Sequence, residues 1–410
     1  MLRKNLINLL LILAFGILAK AQPLDFYIQK GLQNSPLLKE FNNQVLSGRI
    51  DSLLVLAGND FQINQVSQAM YAPVAKKFGY DEAITDGGNY SAVISLEKSL
   101  LNQKTLNNQF KTIALLKQSV EADRKITIVE LKKGITEQYL LAYADFLEIQ
   151  FNQKTLDLLK NEQEILKSLA NQGIYPQTDL MNLSLSVTTE EIAIRQSEIQ
   201  YKNNLAVLNF ICGINSSQAV VLEKPQFTIQ NSFDIISTPT MEKFRIDSLQ
   251  NLNSRQLIDL NYRPKFSAFA DAGFMAIRPE NIPHNFGTSL GLNFSVPIYD
   301  GKQRKLQYDK TMLAEQSRQD YQTFYTSQYR QQILQLTEQL KLSDELITQI
   351  RKQLLQQENL IALYKIEIEK GLVRFLDFLS VVNSYTETQN TLTVSEMNRL
   401  QIINQLNYLK

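Results

Sequence analysis

Few side chains of this sequence are suited to catalysis or metal binding. The 410 residues include one cysteine, Cys212, and one histidine, His284. A cysteine nucleophile or a histidine-based metal site needs partner groups of the same kinds nearby. We therefore expect Cys212 to be a small core residue near a helix end and His284 to face solvent in a loop. The sequence predicts no enzyme, no metal site and no cofactor.

Two carboxylates stand at matching places in the chain. Asp179 follows Gly173 by six residues, and Asp377 follows Gly371 by six. A carboxylate in the first turn of a helix is favoured by the helix dipole, so capping and solubility are one interpretation. No base or metal ligand accompanies either residue in the sequence, which argues against a catalytic pair.

The matching carboxylates belong to a tandem repeat with an offset of 198 positions. The same offset relates Leu208-Asn209-Phe210 to Leu406-Asn407-Tyr408. It also relates the segment SAVISLEKSLLNQKT from Ser91 to the part of GTSLGLNFSVPIYDGKQR that begins at Ser289. In the second segment apolar and polar residues alternate up to a proline and an Asp-Gly pair, which is typical of a strand with one apolar face.

Each repeat is predicted to contain a helix, a β-hairpin, a long helix and a return helix. In the first repeat, 22–212, we expect these elements at about 36–57, 61–100, 102–170 and 178–212, with Thr178 as the N-cap of the return helix. The second repeat, 241–410, has its hairpin at about 264–299, its long helix up to 370 and its return helix from 374. Residues 213–240 are predicted to form a connector with a short strand at 226–229.

The two long helices carry apolar residues every seven positions, which predicts coiled-coil packing. A helix of this length spans roughly 100 Å. Breaks follow at Gly173 and Gly371, so each long helix and its return helix should form an antiparallel hairpin. The heptad positions are Ile128, Ile135, Ala142, Ile149 and Leu156 in the first repeat, and Ile333, Leu340, Ile347, Leu354, Ile361 and Ile368 in the second.

The start of the chain has the pattern of a secretory signal peptide, residues 1–21. Arg3 and Lys4 precede an apolar run at 6–18, and an Ala-x-Ala sequence ends at Ala21. About 13 apolar residues fall short of the ~20 that a spanning helix needs. The formal net charge of +1 gives no indication of a nucleic-acid partner.

The chain resembles the TolC family of outer-membrane efflux and secretion channels. The resemblance is carried by SVPIYDGKQR, by the Gly-x5-Asp turns NQGIYPQTD and EKGLVRFLD, and by the duplicated order of elements. It implies a mainly α fold with a small β part: a homotrimer with an α-barrel tunnel and a shared twelve-strand transmembrane β-barrel. The implied location is the outer membrane of a Gram-negative-type bacterium, with extension into the periplasm.

The implied function is export of small molecules or proteins, together with a periplasmic adaptor protein and an inner-membrane pump. Apolar strand faces would contact outer-membrane lipid, and Asn293, Ser295 and Asp271 would face water. The loops at 73–89 and 277–285 would be extracellular. The sequence does not identify the cargo.

The resemblance also assigns roles to the two turns. The acid of the second turn would help to ring the periplasmic entrance, whose candidate residues are Asp377, Asp179, Thr178, Ser380 and Arg374. The candidate adaptor-contact residues are Leu169, Gly173, Ile174, Leu180, Gly371, Leu372 and Phe378. Two departures from the family stand out. Ser380 replaces a second acid, and Ile368 and Val373 replace a Tyr and an Arg that tie the closed tip in some members, with Arg374 one residue away.

A different class of protein also fits the heptads and the low glycine content. A periplasmic coiled-coil scaffold or adaptor without a channel would share both features. The two hairpins at equivalent places favour the channel, because strands that alternate between apolar and polar residues are typical of a membrane barrel and are not needed in a coiled-coil scaffold. A need for detergent during extraction would distinguish the two classes.

Overall fold

The computed structural model describes residues 21–73, 78–79, 87–100, 103–216, 220–229 and 233–409. Nearly all of the predicted signal peptide, and most of the predicted loop at 73–89, lie outside the described residues. The helices and strands are, in chain order, α1 (Leu24–Asn34), α2 (Pro36–Gly58), β1 (Gln62–Ala72), β2 (Gly87–Leu100), α3 (Gln103–Asn171), α4 (Gln177–Ile211), α5 (Pro239–Asn261), β3 (Lys265–Ala276), β4 (Phe286–Ser295), α6 (Gln303–Glu369) and α7 (Phe375–Asn407).

Three details differ from the sequence-based expectation. Helix α1 was not predicted, although Pro23 before it and Asp25 in its first turn are start signals. The predicted strand at 226–229 is wrong, since these residues have no regular structure and Leu222 instead forms an isolated bridge with Gln22. The last strand ends at Ser295, short of the hairpin end predicted at about 299, because Pro297 has no N–H to donate to a ladder.

The chain divides into two compact units. The first contains the described residues of Met1–Leu38, Lys125–Ile235 and Tyr325–Lys410, and the second contains Lys39–Arg124 and Ile236–Phe324. Each unit draws residues from both predicted repeats. The division into repeats at 22–212 and 241–410 therefore stays a prediction about domain organisation.

The first unit has a helical core built on the predicted heptads. Within it, Ile135, Ala142 and Leu156 of α3 are buried, as are Ile347, Leu354, Ile361 and Ile368 of α6. The return helices contribute Leu183, Leu208 and Val382 to the same clusters as Ile135, Ala142, Leu156, Ile361 and Ile368. Apolar burial along a heptad seam is what holds paired long helices together.

An aromatic cluster in the same unit fixes α1 and the connector. Tyr27 of α1 and Tyr139 of α3 are fully buried with ring centroids 5.7 Å apart. The hydroxyl of Tyr139 lies 2.9 Å from the carbonyl oxygen of Gln22 and 2.7 Å from that of Glu223. This hydroxyl thus tethers the segment before α1 to the connector, beside the bridge between Gln22 and Leu222.

In the second unit the four strands form one antiparallel sheet in the order β1-β2-β3-β4. The register places Leu96 opposite Ala270 and Ala270 opposite Leu290, so their side chains share a face. The residues on this face include Ala92, Ile94, Leu96, Phe266, Ala268, Ala270, Ala272, Phe274, Leu290, Leu292 and Phe294. The predicted alternation is therefore confirmed, and the apolar sides of β2, β3 and β4 coincide.

The start of α6 explains the sequence PIYDGKQR. Gly301 and Lys302 have positive φ values of 63° and 69°, which produce a tight turn. The Asp300 carboxylate accepts hydrogen bonds from the backbone N–H of Lys302 at 2.9 Å and of Arg304 at 2.7 Å. These bonds satisfy amides that a helix start leaves unpaired. The bond from the Arg304 N–H is the main reason why the pKa of Asp300 lies below its usual value.

Among the described residues, no helix is both long and apolar enough to cross a membrane.

Candidate functional site

The paired turns between long and return helices are the candidate site, and both are built in the same way. Gly173 and Gly371 have φ values of 78° and 67°. The N–H of Ile174 donates to the carbonyl oxygen of Leu169 at 3.0 Å, and the N–H of Leu372 donates to that of Glu367 at 3.0 Å. Both turns are therefore Schellman motifs, in which glycine takes the left-handed position.

Both return helices begin without a side-chain cap. Pro176 and Arg374 occupy the N-cap positions in extended conformation. The prediction that Thr178 caps α4 is wrong, because the helix begins at Gln177 and Thr178 is already helical. Asp179 and Asp377 each lie in the first turn, where the dipole and the free amides favour a carboxylate.

Asp377 has a charged partner of its own. Arg374 donates from Nε to Asp377 Oδ2 at 3.2 Å and from a terminal guanidinium nitrogen to Oδ1 at 2.9 Å. The Arg374 side chain is 81% exposed and that of Asp377 is 41% exposed. An exposed pair of this kind adds little to stability, but it cancels the local charge of the carboxylate that is the predicted entrance acid.

Tyr175 joins the two turns, and sequence reasoning missed it. Its hydroxyl donates to the carbonyl oxygen of Val373 at 2.9 Å and lies 3.3 Å from that of Ile368. The ring is buried edge-on against Phe375 with centroids 6.5 Å apart. Burial, and to a lesser degree the charge of Asp179, raises the pKa of Tyr175. The signal for this contact in the sequence was a tyrosine two residues after the turn glycine, Gly173.

The turns rest on an apolar cluster. Leu166, Leu183 and Ile368 are buried there together with Phe375 and Phe378. The prediction that Phe378 contributes to an exposed contact surface is wrong for the described chain, since its side chain is fully buried. Phe378 follows Phe375 by three positions, so both rings point to the same side of α7.

The exposed part of the turns includes two apolar side chains. Ile174 is 48% exposed and Leu372 is 70% exposed. Gly173, Gly371, Thr178 and Ser380 are also exposed, whereas Leu169 and Leu180 are half-buried against the cluster below. The structure therefore brings the predicted entrance and contact residues together in one compact region of the first unit.

Cys212 and His284 are the remaining candidates for chemistry. Cys212 is fully buried, and burial raises the pKa of its thiol to about 11. A thiol with such a pKa is a poor nucleophile near neutral pH. His284 is exposed at the end of a single 3₁₀ helix, Pro279–His284. Among the described residues, no group of three or more potential ligands has metal-site geometry.

Solved structures of outer-membrane channel proteins share this fold. VceC from Vibrio cholerae superposes with a TM-score of 0.73 at 13% identity, covering 94% of this chain and 95% of that chain. CmeC from Campylobacter jejuni gives 0.72 at 11% identity, with 94% and 85% coverage. MtrE from Neisseria gonorrhoeae, in an open state, gives 0.70 at 11% identity, with 94% and 88% coverage. No family model matches the sequence, and neither does any curated protein.

The fold of this chain is thus that of the TolC-type outer-membrane channels. The resemblance inferred from the repeat, the turns and the PIYDG segment is confirmed at the level of fold. The mainly α class with a small antiparallel sheet is confirmed as well.

Proposed function

We propose that this protein is a trimeric channel of the outer membrane that exports solutes or proteins through a helical tunnel in the periplasm. The observation that carries the proposal is the four-stranded sheet with one apolar face that the subunit leaves exposed. Leu290 is 86% exposed, Leu292 is 76% exposed and Phe294 is 58% exposed. Exposed apolar side chains on one face of a strand are typical of a surface that contacts lipid.

The sheet also needs other subunits. Within the described sheet, β1 and β4 are edge strands with one neighbour each. An open edge in lipid leaves backbone N–H and C=O groups without partners, at a cost of several kcal/mol per group. Pairing of β1 in one subunit with β4 of the next removes both edges, and three subunits supply the twelve strands of a closed barrel.

The helices of the first unit offer a second surface for subunit packing. Leu185, Ile192 and Ile199 follow one another at intervals of seven along α4, and each is more than half exposed. An apolar seam with this period is the form that coiled-coil partners recognise. We assign it to contact with helices of a neighbouring subunit in the trimer.

The paired turns form the periplasmic entrance and the contact site for an adaptor protein in this proposal. Exposed Ile174 and Leu372 provide apolar contacts, and Gly173, with open space beside it, allows close approach by another helix. Asp377, Arg374, Asp179, Thr178 and Ser380 would line the opening. An inner-membrane pump would supply the energy for export.

Intersubunit crosslinking tests the assembly. In a Cys212→Ser chain, Gln65→Cys on β1 is combined in turn with Thr288→Cys, Leu290→Cys or Leu292→Cys on β4. Because β1 and β4 are not neighbours within the sheet of one subunit, oxidation should give covalent trimers in at least one combination. The matched control places the first cysteine at Ile94 on β2, which is not an edge strand, and should give none.

Two further results bear on the proposal. The purified trimer should require detergent and should form pores in planar lipid bilayers. Leu372→Glu should weaken binding to the cognate adaptor without loss of the trimer. Recovery as a detergent-free protein that neither crosslinks nor conducts would contradict the channel and favour a scaffold.

A further inference from the structure

The register of the sheet aligns one polar residue from every strand. Asn64 lies opposite Ser95, Ser95 opposite Asp271, and Asp271 opposite Ser289. Directly opposed residues share a face, so these four side chains form one polar row across the sheet. Ser289 Oγ donates to Asp271 Oδ2 at 3.2 Å, which orients the carboxylate along the row.

The polar row lies on the face opposite the apolar one. The adjacent row on the other side of the sheet contains Leu96, Ala270 and Leu290. Side chains alternate between the faces of a strand, so Asp271 and Leu290 point in opposite directions. If the apolar face contacts lipid, Asp271 faces the interior of the barrel.

Carboxylates dominate the charge of this polar face among the described strand residues. Glu97 pairs with Phe269 and is therefore the diagonal neighbour of Asp271. The cation on the same face is Lys265, which lies at the beginning of β3. Six residues of extended strand, about 20 Å, separate Lys265 from Asp271. The middle of the face thus carries negative charge that no cation on the strands offsets.

A trough beside Asp271 gives ions access to the carboxylate. It has a volume of about 610 Å³, and Asp271, Ser289 and Ser95 border it together with Val66 and Val93. Gly273 and Gly287 face each other across β3 and β4, and a side chain added at Gly287 would meet only open space. Gly287 therefore leaves room in front of the polar row.

On the basis of the proposed function, we propose that Asp271, with Glu97 beside it, selects cations inside the strand barrel. Three subunits contribute three rows and six carboxylates around one lumen. A ring of fixed negative charge between low-dielectric walls concentrates cations and repels anions. The chemical class favoured is inorganic cations and cationic or zwitterionic solutes. This element is separate from the acid at the turns, which belongs to the other compact unit.

Reversal potentials across planar bilayers in a KCl gradient test the assignment on the full-length trimer. Asp271→Asn should lower the permeability ratio of K⁺ to Cl⁻ by about twofold or more, and Asp271→Lys should reverse the preference. Asn293→Asp adds a carboxylate to the same polar face and should raise the ratio. Glu97→Gln should lower it in the same sense as Asp271→Asn.

Thiol labelling gives a second readout, which does not depend on measuring ion currents. In a Cys212→Ser chain, Ser289→Cys should react faster with a cationic than with an anionic thiosulfonate reagent of similar size, and Asp271→Asn should remove the difference. Equal rates with Asp271 present, or an unchanged permeability ratio in conducting Asp271→Asn trimers, would overturn the assignment and leave the channel standing. Failure of the unaltered chain to form any pore would instead overturn the proposed function.

Discussion

The hydroxyl oxygen of Tyr175 lies 2.9 Å from the carbonyl oxygen of Val373, the residue 198 positions later that occupies the equivalent place in the second turn. The two repeats therefore touch at corresponding residues, although only one of the pair has a side chain that can form the bond. Tyr175 joins two glycine turns that are otherwise separate segments of the chain. Both hydrogen bonds of the Tyr175 hydroxyl lie within one chain, so they connect the two turns without a second chain.

Tyr175→Phe should loosen the pairing of the turns. The change keeps the buried ring but removes its hydrogen bonds to Val373 and Ile368, and the loss of such a bond costs about 0.5–1.5 kcal/mol. We expect faster amide hydrogen exchange in both turns. Tyr385→Phe is the matched control, because its hydroxyl bonds an exposed carboxylate on α6, that of Glu358, at 3.0 Å. Equal rates of amide exchange in the turns of Tyr175→Phe and Tyr385→Phe would show that the Tyr175 hydroxyl does not hold the turns together.

Arg374→Ala and Asp377→Ala should shift ion preference in opposite directions. The two side chains form a bidentate pair, so loss of Arg374 exposes a carboxylate and loss of Asp377 exposes a guanidinium. Arg374→Ala should raise cation preference and sensitivity to multivalent cations in bilayers, and Asp377→Ala should lower both. The double variant should resemble the unaltered chain. A shift of ion preference in the same direction in both single variants would show that this pair does not determine the charge at the entrance.

Glycine spacing and heptads were sufficient to predict the helical hairpins from the sequence. Gly173 and Gly371 marked both helix ends, because a left-handed residue has few alternatives to glycine. The strand register could not be read from the sequence, since each strand alone shows only which residues alternate. The alignment of Asp271 with Ser289 needed the pairing of β3 with β4.

Two of the missed features depend on several segments at once, and a third depends on local side-chain geometry. The burial of Phe378 depends on the packing of α7 against α3 and α4, whereas its position in the sequence suggested only proximity to the turn. The bond of Tyr175 joins residues that are far apart along the chain. Arg374 was predicted at the entrance, but its pairing with Asp377 depends on the side-chain geometry at the N-terminus of the helix.

The Glu315 carboxylate should make the second unit sensitive to acid. Hydrogen bonds from Arg318, at 2.9 Å from Nε, and from Asn251, at 2.9 Å, lower the pKa of Glu315 from 4.5 to about 2. A depressed folded-state pKa means that the stabilisation is complete above the unfolded value and is lost as the pH falls from 4.5 towards 2. Unfolding monitored by circular dichroism should show a stability loss in this range.

Glu315→Gln should remove that part of the pH dependence and lower stability at neutral pH. If stability falls with pH between 4.5 and 2 as steeply in Glu315→Gln as in the unaltered chain, another carboxylate causes the acid sensitivity.

The two turn glycines should respond differently to alanine, because their surroundings differ. Both have positive φ, which costs an L-residue about 1–2 kcal/mol. A Cβ at Gly371 would also lie 2.9 Å from Cγ2 of Ile174, whereas a Cβ at Gly173 would meet nothing within 4 Å. Gly371→Ala should therefore lower the free energy of unfolding more than Gly173→Ala does, because Ile174 must also move. Gly134→Ala, inside α3 with open space around it, should stabilise by about 0.5–1 kcal/mol. Chemical denaturation of the three variants gives the order of their free energies of unfolding. An equal loss of stability in Gly173→Ala and Gly371→Ala would show that Gly371 and Ile174 are not in close contact.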